Sequence, residues 1–190
     1  MRPPTNSGCA SPATLSPVIQ QLQTTILGRE YTLELSGTLT GYWLVFLRLL
    51  VGWWFLHEGL NKYVAPGRFR AGWFLEKTGT VVSPVLNAFA GGATEAAIEL
   101  VVPAGEVLIG LGLILGVLTR TAAFFGAFML FFFYFGSEHW RRGLVNGELM
   151  GFVLFVTIIV FGSGRVWGVD SYLETTDLVG NRPWLRYLLG

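Results

Sequence analysis

Four apolar stretches, residues 41–64, 93–118, 121–139 and 147–166, constrain the fold of this 190-residue chain more than any other feature of its sequence. Each has the length, ~20 residues, that carries an α-helix across a hydrocarbon core of ~30 Å. A chain in lipid must satisfy its backbone polar groups internally, so continuous apolar runs predict helices. A membrane barrel would instead need many alternating segments of ~10 residues. The expected fold class is all-α, an integral membrane four-helix bundle. Composition agrees, with 52% hydrophobic and 13% charged residues and a mean hydropathy of +0.54. Soluble domains carry about a quarter charged residues. A formal net charge of +1 gives no basic field to attract nucleic acid, which is set aside as a partner.

Residues 1–40 read as a retained polar leader, because no apolar run there is long enough for a signal-peptide core. Within it Leu15, Val18, Ile19, Leu22, Ile26 and Leu27 recur at near-helical spacing and predict a short amphipathic helix on the membrane surface. The membrane domain is expected over 41–170 and a C-terminal tail over 171–190. Thr119 and Arg120 leave almost no loop between the second and third spans, which must form an antiparallel hairpin. Residues 65–92 make a long mixed loop in which Trp73, Phe74, Leu75, Val81, Val82, Val85, Leu86 and Phe89 could fold back onto the membrane surface. Lys and Arg divide evenly between the two sides, so the positive-inside rule gives no orientation. The sides are called terminal and loop. The single cysteine, Cys9, rules out an intramolecular disulfide, a CxxC pair and a cysteine-held iron–sulfur cluster.

Charges within or at the ends of the spans carry the functional signal, since each costs a few kcal/mol in lipid unless paired or wetted. They are Arg48, Glu58, Glu95, Glu99, Glu106 and Glu148. At 100° per residue Glu95, Glu99 and Glu106 form one acidic stripe on the second span. Gly105, Gly112 and Gly116 form a second stripe, suited to close approach of a neighbouring helix. Arg48 shares a face of the first span with Gly52, Phe55, Gly59 and Lys62. Depth counted from the terminal side puts Arg48 about 10 Å in and Glu106 about 18 Å in, an offset that a buried structural ion pair could bridge. At the loop-side level stand His57, Glu58, Asn61, Lys62, Glu95, Glu99, His139, Arg141, Arg142, Asn146 and Glu148, the best candidate site.

Blander readings stand beside these. Arg141 and Arg142 could snorkel to water, His57 could be a packed or lipid-boundary residue, and His139 with Trp140 could be an interfacial belt pair. Neither histidine has a partner three or four residues away, so no metal or haem site is expected, and no flavin motif is seen. The phenylalanines of the third span could wall a quinone slot or simply meet lipid.

Three segments together resemble one family, the DoxX/DoxD membrane proteins. They are RLLVGWWFLHEGLNKYV at 48–64, GEVLIGLGLILGVLTRTAA at 105–123, and the stretch from NGELMG to FGSGRVWGVDSYLE at 146–174. Arg48, Lys62, Glu106, Asn146 and Glu148 are the matched polar positions. The family includes the membrane subunit of thiosulfate:quinone oxidoreductase and a small subunit of a terminal quinol oxidase. The resemblance implies a quinone-linked oxidoreductase subunit of the plasma membrane, taking electrons from a small, sulfur-containing donor or from a partner protein. Quinone would be the cofactor. In that expectation Lys62, Glu99, Asn146 and Arg141 bind, while His57, Glu58 and Glu148 carry protons. Partners would be the lipid bilayer with other redox subunits, or further copies of the chain. Two other classes remain open, a non-catalytic anchor for a redox enzyme and a small proton-coupled transporter. Against the transporter, the chain shows no inverted repeat.

Overall fold

In the computed structural model the described residues are 19–26, 29–64, 69–77, 79–137, 143–176, 179, 184–185 and 188–189, with backbone alone described over 19–36. The chain divides into two units, 1–40 and 41–190.

In the first unit, β1 (Ile19–Ile26) and β2 (Arg29–Ser36) pair antiparallel, with Ile19 opposite Ser36 and Ile26 opposite Arg29. The surface helix expected here is therefore replaced over 19–26 by a strand; Leu15, Val18 and Leu27 lie outside the described residues. The reason is legible on the partner segment. Tyr31, Leu33 and Leu35 alternate with Glu30, Thr32 and Glu34, a period of two that offers the leader a strand partner.

The second unit is all-α. Its bundle consists of α1 (Gly37–Val64), α4 (Gly92–Leu115), α5 (Thr119–Gly136) and α6 (Gly147–Phe161), with α2 (Gly72–Leu75) and α3 (Ser83–Asn87) between the first two and α7 (Val169–Leu173) after the last. The helices α1, α4 and α5 are long and apolar enough to cross a membrane. The fourth helix is shorter than the sequence predicts. It stops at Phe161 because Gly162 takes a left-handed φ of 58°, and a 3₁₀ turn, Ser163–Arg165, continues the path. At 1.5 Å per residue α6 covers only ~22 Å, and the turn supplies part of the remaining depth.

Glycines set the helix spacings. A methyl group on Gly110 of α4 would lie 2.5 Å from the backbone nitrogen of Leu56 on α1 and 2.7 Å from the Gly52 carbonyl, so these two backbones touch. Gly126 of α5 lies under the ring of Phe155, and Gly151 of α6 lies against Leu130 and Trp54. Around these contacts sits the core of Val51, Phe55, Ile109, Leu113, Leu130, Phe155 and Ile158. The neighbouring helix that the expected stripe receives is α5: Gly112 meets Ala122 at 3.2 Å and Gly105 meets Met129 at 3.9 Å, while Gly116, at φ 68°, ends α4. Val117 N–H donates to Gly112 O (2.8 Å) and Gly116 N–H to Leu113 O (3.3 Å), the bond pattern of a Schellman stop.

The turn into α5 is tight, with Leu118 held at φ 49°. Asp170, fully buried, compensates. Its two carboxylate oxygens accept from Leu118 N–H (2.7 Å) and Thr119 N–H (2.9 Å), and its own N–H donates to Gly116 O (2.8 Å). Arg48, 1% exposed, completes this end of the bundle by donating to the carbonyls of Ser163 (3.0 Å), Val166 (3.3 Å) and Trp167 (3.0 Å). One guanidinium thus ties α1 to the chain leaving α6.

Candidate functional site

The predicted pairing of Arg48 with Glu106 does not form. Gly59 of α1 faces Glu106 and Val107 of α4, and Arg48 lies beside Gly116, the residue that ends α4. Arg48 and Gly59 are eleven residues apart, so Arg48 lies ~16 Å along the axis from the level of Glu106. The sequence estimate started both helices at one depth, whereas α1 begins about three turns before the level at which α4 stops. Both charges are buried for different reasons: Arg48 holds carbonyls at the terminal end, while the Glu106 carboxylate accepts a hydrogen bond from the Lys62 ammonium and forms an ion pair with it. Lys62 also lies 5.6 Å from the centroid of the Phe69 ring.

This ion pair opens onto a cavity of about 830 Å³ in the loop-side half of the bundle. Its walls come from α1 (Trp54, Phe55), α4 (Ile98, Val102), α5 (Phe128, Met129, Leu130, Phe132, Phe133) and the α2–α3 segment (Trp73, Phe74, Leu75, Val85, Leu86, Phe89). The polar groups on this apolar lining are Glu58, Lys62, Glu106, Ser137 and Glu148. A site of that volume, largely apolar with a few convergent polar groups, is the usual form of a small-molecule site.

The long loop builds one wall, and α4 carboxylates hold it there. Glu99 Oε1 accepts from Ala71 N–H at 3.1 Å, just before α2. Glu95 Oε2 accepts from Gly91 N–H at 2.9 Å, bracing the start of α4. Phe74 then inserts over Gly136 and meets Phe133 edge to face at 5.7 Å, and Ala71, Leu75, Val82 and Leu86 make a second small core. The acidic stripe is thus divided in use: its first two members position the loop, and the third pairs with Lys62.

Among the predicted site residues, Glu58, Lys62 and Glu148 meet at the cavity together with Glu106. Asn146 does not line it; its Oδ1 accepts from Leu149 N–H at 2.9 Å and caps α6, which aims Glu148, two residues on, at the wall. His57 is on the outer face of α1, 3.2 Å from the Asn61 amide through Nδ1 and next to Trp53. Arg141, with Arg142 and His139, lies outside the described residues. Among the described residues no three His, Cys, Asp or Glu side chains gather closely enough to hold a metal ion.

Sequence reasoning missed three features. Trp54 belongs to the wall, although neighbouring Trp53 points outward. Phe69 and Phe74 come from the loop that no span pattern covers, and only its excess of aromatic residues marked it. Asp170 was visible as the last residue of the GRVWGVD segment, but only the fold shows it capping α5.

Comparison with known proteins agrees with the resemblance over its first two segments, 48–64 and 105–123. The sequence profile of the DoxX family matches residues 43–138, half of the chain, including most of α1, all of α4 and α5, and the loop wall. No curated protein and no solved structure matches the chain.

Proposed function

Because the chain belongs to the DoxX family of membrane proteins, we propose that it is the membrane subunit of a quinone-linked oxidoreductase in the plasma membrane, passing electrons from a small sulfur-containing donor or a partner protein to the quinone pool. One observation carries this reading: an apolar cavity within the span region whose polar end is the Lys62–Glu106 pair with Glu58 and Glu148.

The residues present suit a quinone. Its ring needs flat apolar neighbours, and Trp54, Phe74 and Phe133 provide them; its oxygens need a donor, and Lys62 is the cation on the wall. When bound, a quinone supplies two-electron, two-proton redox chemistry that no side chain here offers. The chain's own contribution is binding and proton management. Lys62 has three donor hydrogens, one engaged by Glu106, and can direct another at a carbonyl oxygen in the cavity. Glu58, one helical turn from Lys62 on the same wall, takes or gives a proton at that end. Glu148, at the first turn of α6, links the cavity to the loop side. His57, turned outward, has no part in this route.

The test is a binding and turnover assay on the detergent-purified protein together with its native partner proteins. A short-chain quinone analogue should quench tryptophan emission, since Trp54 and Trp73 line the cavity, and thiosulfate or another sulfur donor should reduce it. Lys62→Ala should abolish the quenching in a protein that still folds. Absence of both binding and reduction would overturn the proposal. Full turnover in folded Lys62→Ala and Glu58→Gln proteins would favour an anchoring subunit instead.

A further inference from the structure

Six residues of the cavity wall are also exposed on the outside of the molecule: Glu58 and Gly147 at its polar, loop-side end, and the apolar Trp73 (65%), Val85 (49%), Phe89 (43%) and Phe128 (52%). A side chain that both lines a cavity and meets the surroundings marks its mouth. Phe128 decides what those surroundings are. It lies at the middle of α5, nine residues after Thr119 and eight before Gly136, at least ~12 Å from either helix end, where the medium is hydrocarbon. The loop-wall part of the rim is equally apolar, and Lys77 stands 5.1 Å from the centroid of the Trp73 ring, an aromatic–cation pairing suited to the interface.

The polar end lies at a different depth. Lys62 and Glu58 are within two turns of the loop-side end of α1, ~3 and ~9 Å from Val64 along the axis. The cavity is therefore polar near the bilayer surface and apolar toward its centre, the same order as the head and tail of a lipid.

We propose that the cavity exchanges its ligand sideways with the bilayer, through the mouth rimmed by Trp73, Val85, Phe89 and Phe128, and that this ligand is a long-tailed amphiphile. Its uncharged polar ring sits at Lys62 and its alkyl or isoprenoid tail leaves past Phe128. The identity of the head rests on the quinone reading above; the sideways mouth does not. Entry from lipid also explains why the rim carries aromatic and branched apolar side chains away from its loop-side end, where the exposed Glu58 stands at the level of the bilayer surface.

The unaltered full chain, reconstituted in phosphatidylcholine vesicles, tests this with a phospholipid that carries a photoreactive diazirine in its acyl chain. Mapping the adducts after illumination should find them on the inner-wall residues Phe74, Val102 and Met129 as well as on outward residues such as Leu108, Phe124 and Val153. Adducts confined to the outward set would overturn the sideways mouth. A benzoquinone with a decyl tail should suppress the inner adducts, and the same ring without a tail should not. Equal suppression by both would overturn the tail in the mouth. Inner labelling that neither quinone suppresses would retain the mouth and reject the quinone head.

Discussion

Replacing the Lys62–Glu106 pair by methionine, singly and together, gives the most direct measure of what the pair does. Lys62 and Glu106 side chains are 21% and 4% exposed, so the two single changes are not equivalent. Lys62→Met strands a carboxylate that has almost no access to water, and breaking a buried pair in this way costs about 3–5 kcal/mol. Glu106→Met leaves an ammonium near the end of α1, beside the Phe69 ring, with a stem long enough to reach the surface, so about 1–2 kcal/mol is expected. The double variant leaves no charge behind, fills similar volume, and should lie within about 1 kcal/mol of the parent. The coupling energy is then about 4–7 kcal/mol, well above the roughly 0.5 kcal/mol that independent sites show. Equilibrium unfolding in mixed detergent micelles, followed by circular dichroism, reads all four proteins. If the double variant loses as much as the two singles combined, the residues are energetically independent and the buried-pair reasoning is wrong. The double variant serves a second purpose, because it should be stable yet unable to bind a quinone analogue, which separates recognition from folding.

Arg48→Leu removes the donor from three carbonyls at the terminal end, and at about 1–3 kcal/mol for each orphaned group the sum approaches the whole stability of an ordinary domain; little folded protein should survive size-exclusion chromatography. Arg48→Lys should recover only part of the yield, because a single ammonium cannot fork across acceptors on Ser163 and Trp167. Gly110→Val should push α1 from α4, since even a methyl there would meet the Leu56 backbone nitrogen at 2.5 Å, and a lowered melting temperature with intact helix content would register it. His57→Ala should change stability by no more than about 0.5 kcal/mol, as exposed substitutions usually do, and leave quinone-analogue binding unchanged, whereas Glu58→Gln should slow turnover with little effect on binding.

The all-α membrane class was legible because hydrocarbon imposes a length and a continuity that composition reveals directly, and the spans were placed to within a few residues. Helix register was not legible. Angular arithmetic put Arg48, Gly59 and Lys62 on one face of α1, and Glu106 on the seam, but the partner of each charge depends on axial offset, which is fixed by where backbones touch. Those contacts run through Gly52, Gly59 and Gly110, and Gly110 lies off the glycine stripe that the sequence pattern favoured. The loop wall was less legible still. Its aromatic excess indicated docking, but that Glu99 would accept from Ala71 N–H, and thereby place Phe74 over Gly136, depends on tertiary geometry with no local sequence signal. Asn146 illustrates the reverse case. An asparagine before an apolar run is an ordinary helix cap, and that role, visible in the local sequence, is the one it fills.

The position of the cavity follows from how the two ends of the bundle are closed. At the terminal end the α4–α5 turn is short, Asp170 accepts from its Leu118 and Thr119 N–H groups, and Arg48 binds the chain beyond α6, so the α4–α5 turn and the exit from α6 are held by buried hydrogen bonds. At the loop end α4 and α5 are joined by nothing, and the gap between them is filled by α2 and α3, segments too short to close it completely. A void left there must be lined by whatever these elements offer: aromatic side chains from the loop and α5, and the charged end of α1. Lys62 is consequently placed at the polar end of that void, and Glu106, one turn along from it in depth, pairs with it. The same asymmetry that makes Arg48 a structural residue makes Lys62 available for recognition, although both are cations on one face of one helix.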